Sequence, residues 1–179
     1  MARKIIMAIG ILAALAGVGQ GLQDETTPSL KEVEPFAYCV IAHTGPLSDM
    51  SNVIGSLIQE MQGQNLFSAI QGPMVGIYPL APIPADSADL SWEVGFIVTA
   101  QAAPQAPLIK KGWDHPTVAS VVHIGPYAKL GETIDRLMAW MKAGGCVADG
   151  PLLERYLNNP MQVKPEELRT EIWIPCVKR

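Results

Sequence analysis

The chain has 179 residues, 49% of them hydrophobic and 17% charged, with 13 lysines and arginines against 17 aspartates and glutamates. Enough apolar residues are present for a sizeable core, and wholesale disorder is excluded. The acidic balance and the lack of any Lys/Arg-rich run exclude nucleic acid from the expected partners.

In chain order, Arg3 and Lys4 form a short basic start, residues 5–16 carry no charge, and residues 17–21 are mostly small. This is the layout of a secretory signal peptide over residues 1–21, so the mature protein is expected in the periplasm or outside the cell. The apolar run falls short of the ~20 residues of a membrane span; an uncleaved N-terminal anchor is the alternative. Loss of Arg3 and Lys4 leaves 11 basic against 17 acidic residues. Residues 22–34 are polar and are expected to be a linker, so that the folded domain starts at Pro35 and runs to Arg179. Cys39, Cys146 and Cys176 make no CxxC pair, which points to three buried, inert thiols and not to a redox or metal motif. An odd count permits at most one internal disulfide.

Residues 36–43 (FAYCVIAH) are β-prone and end at the turn signal Gly45-Pro46. Met50, Val53, Ile54, Leu57, Ile58 and Met61 then follow helical spacing, with Ser48 as the expected N-cap. Two strand-like runs, 74–80 and 91–100, are joined by the Pro-rich 81–89. Residues 102–107 read as a second linker, and Trp113 as part of irregular surface structure with Asp114, His115 and Pro116. The pattern then restarts: a β-prone run at 117–123, Gly125-Pro126, and a helical stripe of Leu130, Ile134, Leu137, Met138 and Met141. Gly144-Gly145 ends that helix, and Gly150-Pro151 opens strands at 152–157 and 168–177.

A shift of 80 residues superposes His43-x-Gly45-Pro46 on His123-x-Gly125-Pro126 and the first helical stripe on the second. A shift of 78 then superposes Gly72-Pro73 on Gly150-Pro151, Tyr78 on Tyr156, Pro82 on Pro160 and Glu93 on Glu171. Helical periodicity alone does not generate the His, Gly-Pro, Tyr, Pro and Glu matches. The chain is therefore expected to be α+β: two βαββ copies, about 35–100 and 112–179, related by a pseudo-two-fold, with antiparallel sheets and two main helices around a groove. Interfaces of this kind are common places for small-molecule sites.

A site can occupy one copy only, so the differences between copies matter. Glu154 falls where the first copy has Gly76. Strand alternation puts Leu152, Glu154 and Tyr156 on one face, and Glu171 with Trp173 on one face of the last strand. A carboxylate beside aromatic surface suits a cationic or amphipathic ligand through cation–π contact and charge. Glu171 is matched by Glu93, and His43 by His123, which favours architectural roles for both pairs. Trp140, on the polar flank of the second helix, is expected to pack at the junction.

The run His123-Ile-Gly-Pro-Tyr127, the helix ending at Trp140, the segment from Gly150-Pro-Leu-Leu-Glu154 to Pro160, and Glu167 to Pro175 together resemble the GyrI-like small-molecule-binding domain, also called the AraC-type effector-binding domain. The resemblance implies a ligand pocket at the junction of the halves, lined by aromatics around an acidic residue that meets lipophilic cations. By motif position that residue is Glu154, with Tyr127, Tyr156, Glu171 and Trp173 around it. Only the signal and linker precede Pro35, so a free-standing, exported binding protein is expected, without a cofactor or metal and with no role in transcription. Some free-standing relatives hydrolyse reactive lipophilic electrophiles, which implies as an alternative that Glu154 and Tyr127 or Tyr156 act on water and leaving group. A second alternative is haem or tetrapyrrole binding, by resemblance to the SOUL haem-binding family, with His43 or His123 as axial ligand. Ligand identity and oligomeric state are left open.

Overall fold

A computed structural model describes residues 25–80 and 85–178; the expected signal peptide lies outside the described residues. The elements in chain order are β1 (Ser29–Glu32), β2 (Phe36–Thr44), α1 (Met50–Gly63), β3 (Ile70–Tyr78), β4 (Ser91–Val98), β5 (Ile109–Trp113), β6 (Thr117–Ile124), α2 (Leu130–Ala143), β7 (Cys146–Ala148), β8 (Leu152–Tyr156) and β9 (Arg169–Lys178). The fold is α+β, as expected. The strands pair antiparallel in the order β1-β6-β9-β8-β3-β4-β2-β5, with β7 added alongside the end of β9.

That order is a palindrome of the duplication: β8 answers β3, β9 answers β4, β6 answers β2, and β1 answers β5. The two halves therefore meet along β3 and β8, in the register Met74↔Tyr156, Gly76↔Glu154 and Tyr78↔Leu152. Gly76 and Glu154 are equivalent under the 78-residue shift and are also directly paired. The pseudo-two-fold axis thus passes between these two residues.

Residues 29–32, inside the expected linker 22–34 and ahead of the expected domain start, form β1 on β6 of the second copy. Residues 109–113 form β5 on β2 of the first copy. Each copy is completed by the segment that precedes the other. Trp113 is consequently buried, stacked on Phe36 at 6.0 Å, and is not irregular surface structure.

Alternation divides the sheet between three cores. On one face α1 packs Val53, Leu57 and Met61 against Cys39, Trp92 and Val94, and α2 packs Leu137 and Met141 against Val121, Ile172 and Ile174. On the other face Tyr38, Val40, Val75, Ile77, Val118, Leu153 and Trp173 form a core shared by both copies. Phe36 on β2 and Trp173 on β9 have ring centroids 6.3 Å apart, although four strand steps of ~4.8 Å separate their strands. The sheet must curl toward this second face, bringing its wings together and leaving the helices outside. Trp140 packs partly buried on the α2 core.

The histidines at the strand ends organise the turns. His43 Nε2 lies 2.9 Å from Asp49 Oδ2, and His123 Nδ1 lies 2.8 Å from Thr133 Oγ1. His123 Nε2 donates to the Pro126 carbonyl at 3.2 Å, which leaves Nδ1 to accept from the threonine hydroxyl. Gly45 (φ 154°) and Gly125 (φ 134°) sit between strand and turn in backbone conformations that L side chains rarely adopt. A turn of 3₁₀ helix, Leu47–Asp49, precedes α1, so Ser48 is not its N-cap; Asp49 holds that position and spends its carboxylate on His43. All three cysteines are free and buried.

Candidate ligand cavity between the two halves

The helical stripes carry two functions side by side. On α1, Val53, Leu57 and Met61 are buried in the core, while Met50, Ile54 and Ile58, one position along the helix surface, line a cavity. Leu130 and Ile134 do the same on α2. The central strands close the other side with Met74, Tyr78, Leu152, Glu154 and Tyr156. The enclosed groove measures about 1810 Å³, larger than the ~300–1,000 Å³ of ordinary small-molecule pockets. Its walls are mainly aliphatic and aromatic.

Among its lining residues is Glu154, only 7% exposed. The Tyr156 hydroxyl donates to Oε2 of Glu154 at 2.8 Å. The Tyr78 hydroxyl lies 2.9 Å from that of Tyr156, and because Tyr156 spends its proton on Glu154, Tyr78 is the donor in this contact. The tyrosines are equivalent under the duplication, and they meet over Gly76. A Cβ there would stand 2.6 Å from the Tyr78 hydroxyl and 2.8 Å from the Tyr156 hydroxyl. Glycine is thus required opposite Glu154 because the paired phenols occupy its side-chain space. Tyr127 stands edge-on to Tyr156 at 5.8 Å and is half exposed at the cavity wall.

No basic side chain among the described residues pairs with Glu154. Burial pushes its carboxyl up to about 7, partly offset by the bond from Tyr156. Burial, with Glu154 nearby, also raises the phenols of Tyr78, Tyr127 and Tyr156. The cavity therefore offers a near-neutral carboxyl, oriented by hydroxyls, in an apolar enclosure. Such a group can charge against a cation or exchange a proton near pH 7.

Of the five residues expected to surround a ligand, Glu154, Tyr127 and Tyr156 are brought together. Glu171 and Trp173 are not. Ile172 pairs with Glu154 and shares its face, so Glu171 and Trp173 point into the curled second face. There Glu171 binds Lys31 and Arg155 and accepts from Ser120 Oγ at 3.2 Å. The Arg155 guanidinium lies over the Trp173 ring, 4.4 Å from its centroid. The register between β8 and β9 decides this, and strand alternation alone does not contain it. Tyr78 was legible only as a repeat match; its place in the cavity follows from the axis at Gly76.

His123 has both ring nitrogens engaged within the protein, and neither histidine faces the central cavity. Among the described residues no group of three or more His, Cys, Asp and Glu could hold a metal ion, and no helix is long and apolar enough to cross a membrane.

Residues 26–177 match the GyrI-like small molecule binding domain, and the chain belongs to that family. Among solved structures, the C-terminal domain of EcmrR is 21% identical with a TM-score of 0.75, over 86% of this chain and 98% of that one. A hydrolase encoded by lin2189 from Listeria innocua is 13% identical with a TM-score of 0.67, over 87% of this chain and 94% of that one. SAV2435 bound to tetraphenylphosphonium is 15% identical with a TM-score of 0.58, over 84% of this chain and 94% of that one. At these identities the likenesses show the fold. None among curated protein sequences matches the chain. The expected exclusion of nucleic acid finds no support here, since EcmrR has also been solved in complex with DNA, in a chain of which this one spans 58%.

Proposed function

We propose that the domain binds lipophilic organic cations in the central cavity, with Glu154 as the counter-charge. The observation that carries this reading is a buried carboxyl with no basic partner among the described residues, on the wall of a large apolar groove. Burial alone penalises the charged form, and a monocation placed against it removes that penalty. A neutral ligand of the same shape does not. The tetraphenylphosphonium bound by SAV2435 has the chemistry this site calls for. Export through residues 1–21 is part of the proposal, resting on the sequence pattern. Calorimetric titration with tetraphenylphosphonium and with neutral triphenylphosphine oxide tests it. Glu154→Gln is expected to weaken the cation at least tenfold, about 1.4 kcal/mol or more, while leaving the oxide within a factor of two. Equal losses for both ligands would remove Glu154 from the recognition of charge. For the wild type, cation affinity falls as pH drops below about 7, because the carboxyl must then lose a proton to pair.

A second reading, hydrolysis of reactive lipophilic electrophiles, is favoured by the same near-neutral carboxyl hydrogen-bonded to a phenol. Here Tyr156, and not Tyr127, is the hydroxyl in contact with Glu154. Mass spectrometry of an electrophile incubated with the protein separates the two: repeated turnover lost in Glu154→Gln indicates an enzyme, and unaltered recovery indicates a binder.

A further inference from the structure

The second face of the sheet carries the same ion pair twice, once filled and once open. In the second copy Lys31 on β1 reaches Glu171 on β9, and in the first copy Lys111 on β5 reaches Glu93 on β4. Lys31 and Lys111 are related by the 80-residue shift, and Glu171 and Glu93 by the 78-residue shift. The surroundings differ at one decisive position. Beside Glu171, in direct register, stands Arg155, whose guanidinium binds the second carboxylate oxygen. The equivalent residue beside Glu93, also in direct register, is Ile77. Trp173, which the guanidinium covers, is answered by Gly95.

The place of the indole is taken by the β2 backbone, which closes over Gly95, but the absence of a guanidinium beside Glu93 is matched by open space. A depression of about 440 Å³ is lined by Glu93, Lys111, Ile77, Tyr38, Ser91 and the neighbouring strand ends. Lys111 takes Oε1 of Glu93, and Oε2 makes no hydrogen bond with any described residue. Tyr38, 6% exposed, also lines the depression, and its hydroxyl has no hydrogen-bond partner among the described residues. The Tyr38 hydroxyl and Oε2 of Glu93 thus both open into the depression with acceptor positions free for a donor that enters it.

We propose that this depression is a second binding site, which takes a small guanidinium compound against Glu93 as Arg155 is taken against Glu171. The planar fork of a guanidinium can donate to Oε2 of Glu93 and to the Tyr38 hydroxyl together, and Lys111 does not preclude it, because Glu171 already holds a lysine and an arginine at once. The site is separate from the Glu154 cavity in its carboxylate, which lies on the other face of the sheet, although Tyr78 and Pro79 border both.

The test is a titration of the full chain with ethylguanidinium, followed by ¹⁵N-heteronuclear NMR. Saturable shifts are expected at Tyr38, Glu93 and Lys111, and not at Tyr127, Glu154 and Tyr156. Glu93→Gln should weaken binding ~10-fold. Ile77→Arg, which rebuilds the second copy's arrangement inside the first, should abolish it while the dispersed spectrum shows the fold intact. An acetylated, amidated Gly-Arg-Gly peptide identifies the source of the group: tighter binding than ethylguanidinium assigns the site to an arginine side chain of a polypeptide, weaker binding to a free small molecule. Shifts centred on Glu154, or affinity unchanged in Glu93→Gln, would overturn the assignment.

Discussion

Glu154 and Glu171 sit on adjacent strands and are pushed in opposite directions. Burial without a cation raises Glu154 to about 7, whereas Glu171, although burial works against it too, is held below its ordinary value by Lys31 and Arg155. The folded Glu154 holds its proton more tightly than the unfolded one, so stability falls as pH rises from about 4.5 to about 7 and then levels off. The span corresponds to about 3 kcal/mol. Glu171 acts in a lower window: its contribution is complete above the ordinary carboxylate range and is lost as acid protonates it. Urea unfolding between pH 5 and 8 is expected to show the Glu154 slope in the wild type and a flat profile in Glu154→Gln; a slope that survives the substitution would assign it to another group. Tyr156→Phe removes the bond that favours the charged carboxyl, so the midpoint for cation binding should move to higher pH. Glu154 was legible in the sequence as a break in the repeat, opposite Gly76. Its partners were not, because the pairing of Tyr78 with Tyr156 depends on which strands lie side by side.

Each helix presents an apolar stripe too wide for the core alone. On α1 the row of Val53, Leu57 and Met61 fills the core, and the row of Met50, Ile54 and Ile58 faces the cavity. The two rows read identically in sequence, since hydrophobic periodicity reports that a side chain avoids water and not what it meets instead. Substitution separates them. Leu57→Ala should cost about 2–5 kcal/mol in chemical unfolding by opening a void in a closed core. Ile58→Ala, at the groove, should cost about 1 kcal/mol or less and instead change the affinity for large cations. Strands β1 and β5 escaped notice for a different reason. SLKE and IKKGW are short and rich in lysine, as strands at the rim of a sheet often are, and such composition resembles a linker.

For the molecule as a whole, the reciprocal placement of those rim strands ties the halves together. The repeat was legible because its His-x-Gly-Pro turns and Gly-Pro strand starts recur at fixed offsets, but its extent was underestimated by the strand preceding each copy. A chain truncated to begin at Pro35 loses β1, Lys31 as one of the two cations on Glu171, and one side of β6. Its melting temperature should drop, and amide exchange should accelerate at Val118–Val122 more than in β2, although β2 is nearer the cut in sequence; equal exchange in the two strands would show that β1 is dispensable. The position of the axis carries one more consequence. In a homodimer of single βαββ units, whatever residue occupied the strand position at the axis would face its own copy. Two glutamates there would oppose like charges across one strand spacing, and two glycines would leave the groove without a carboxyl. Only when both units share one gene can that position mutate independently on its two sides, so the fusion is what allows a lone charge to stand at the centre of a symmetric architecture.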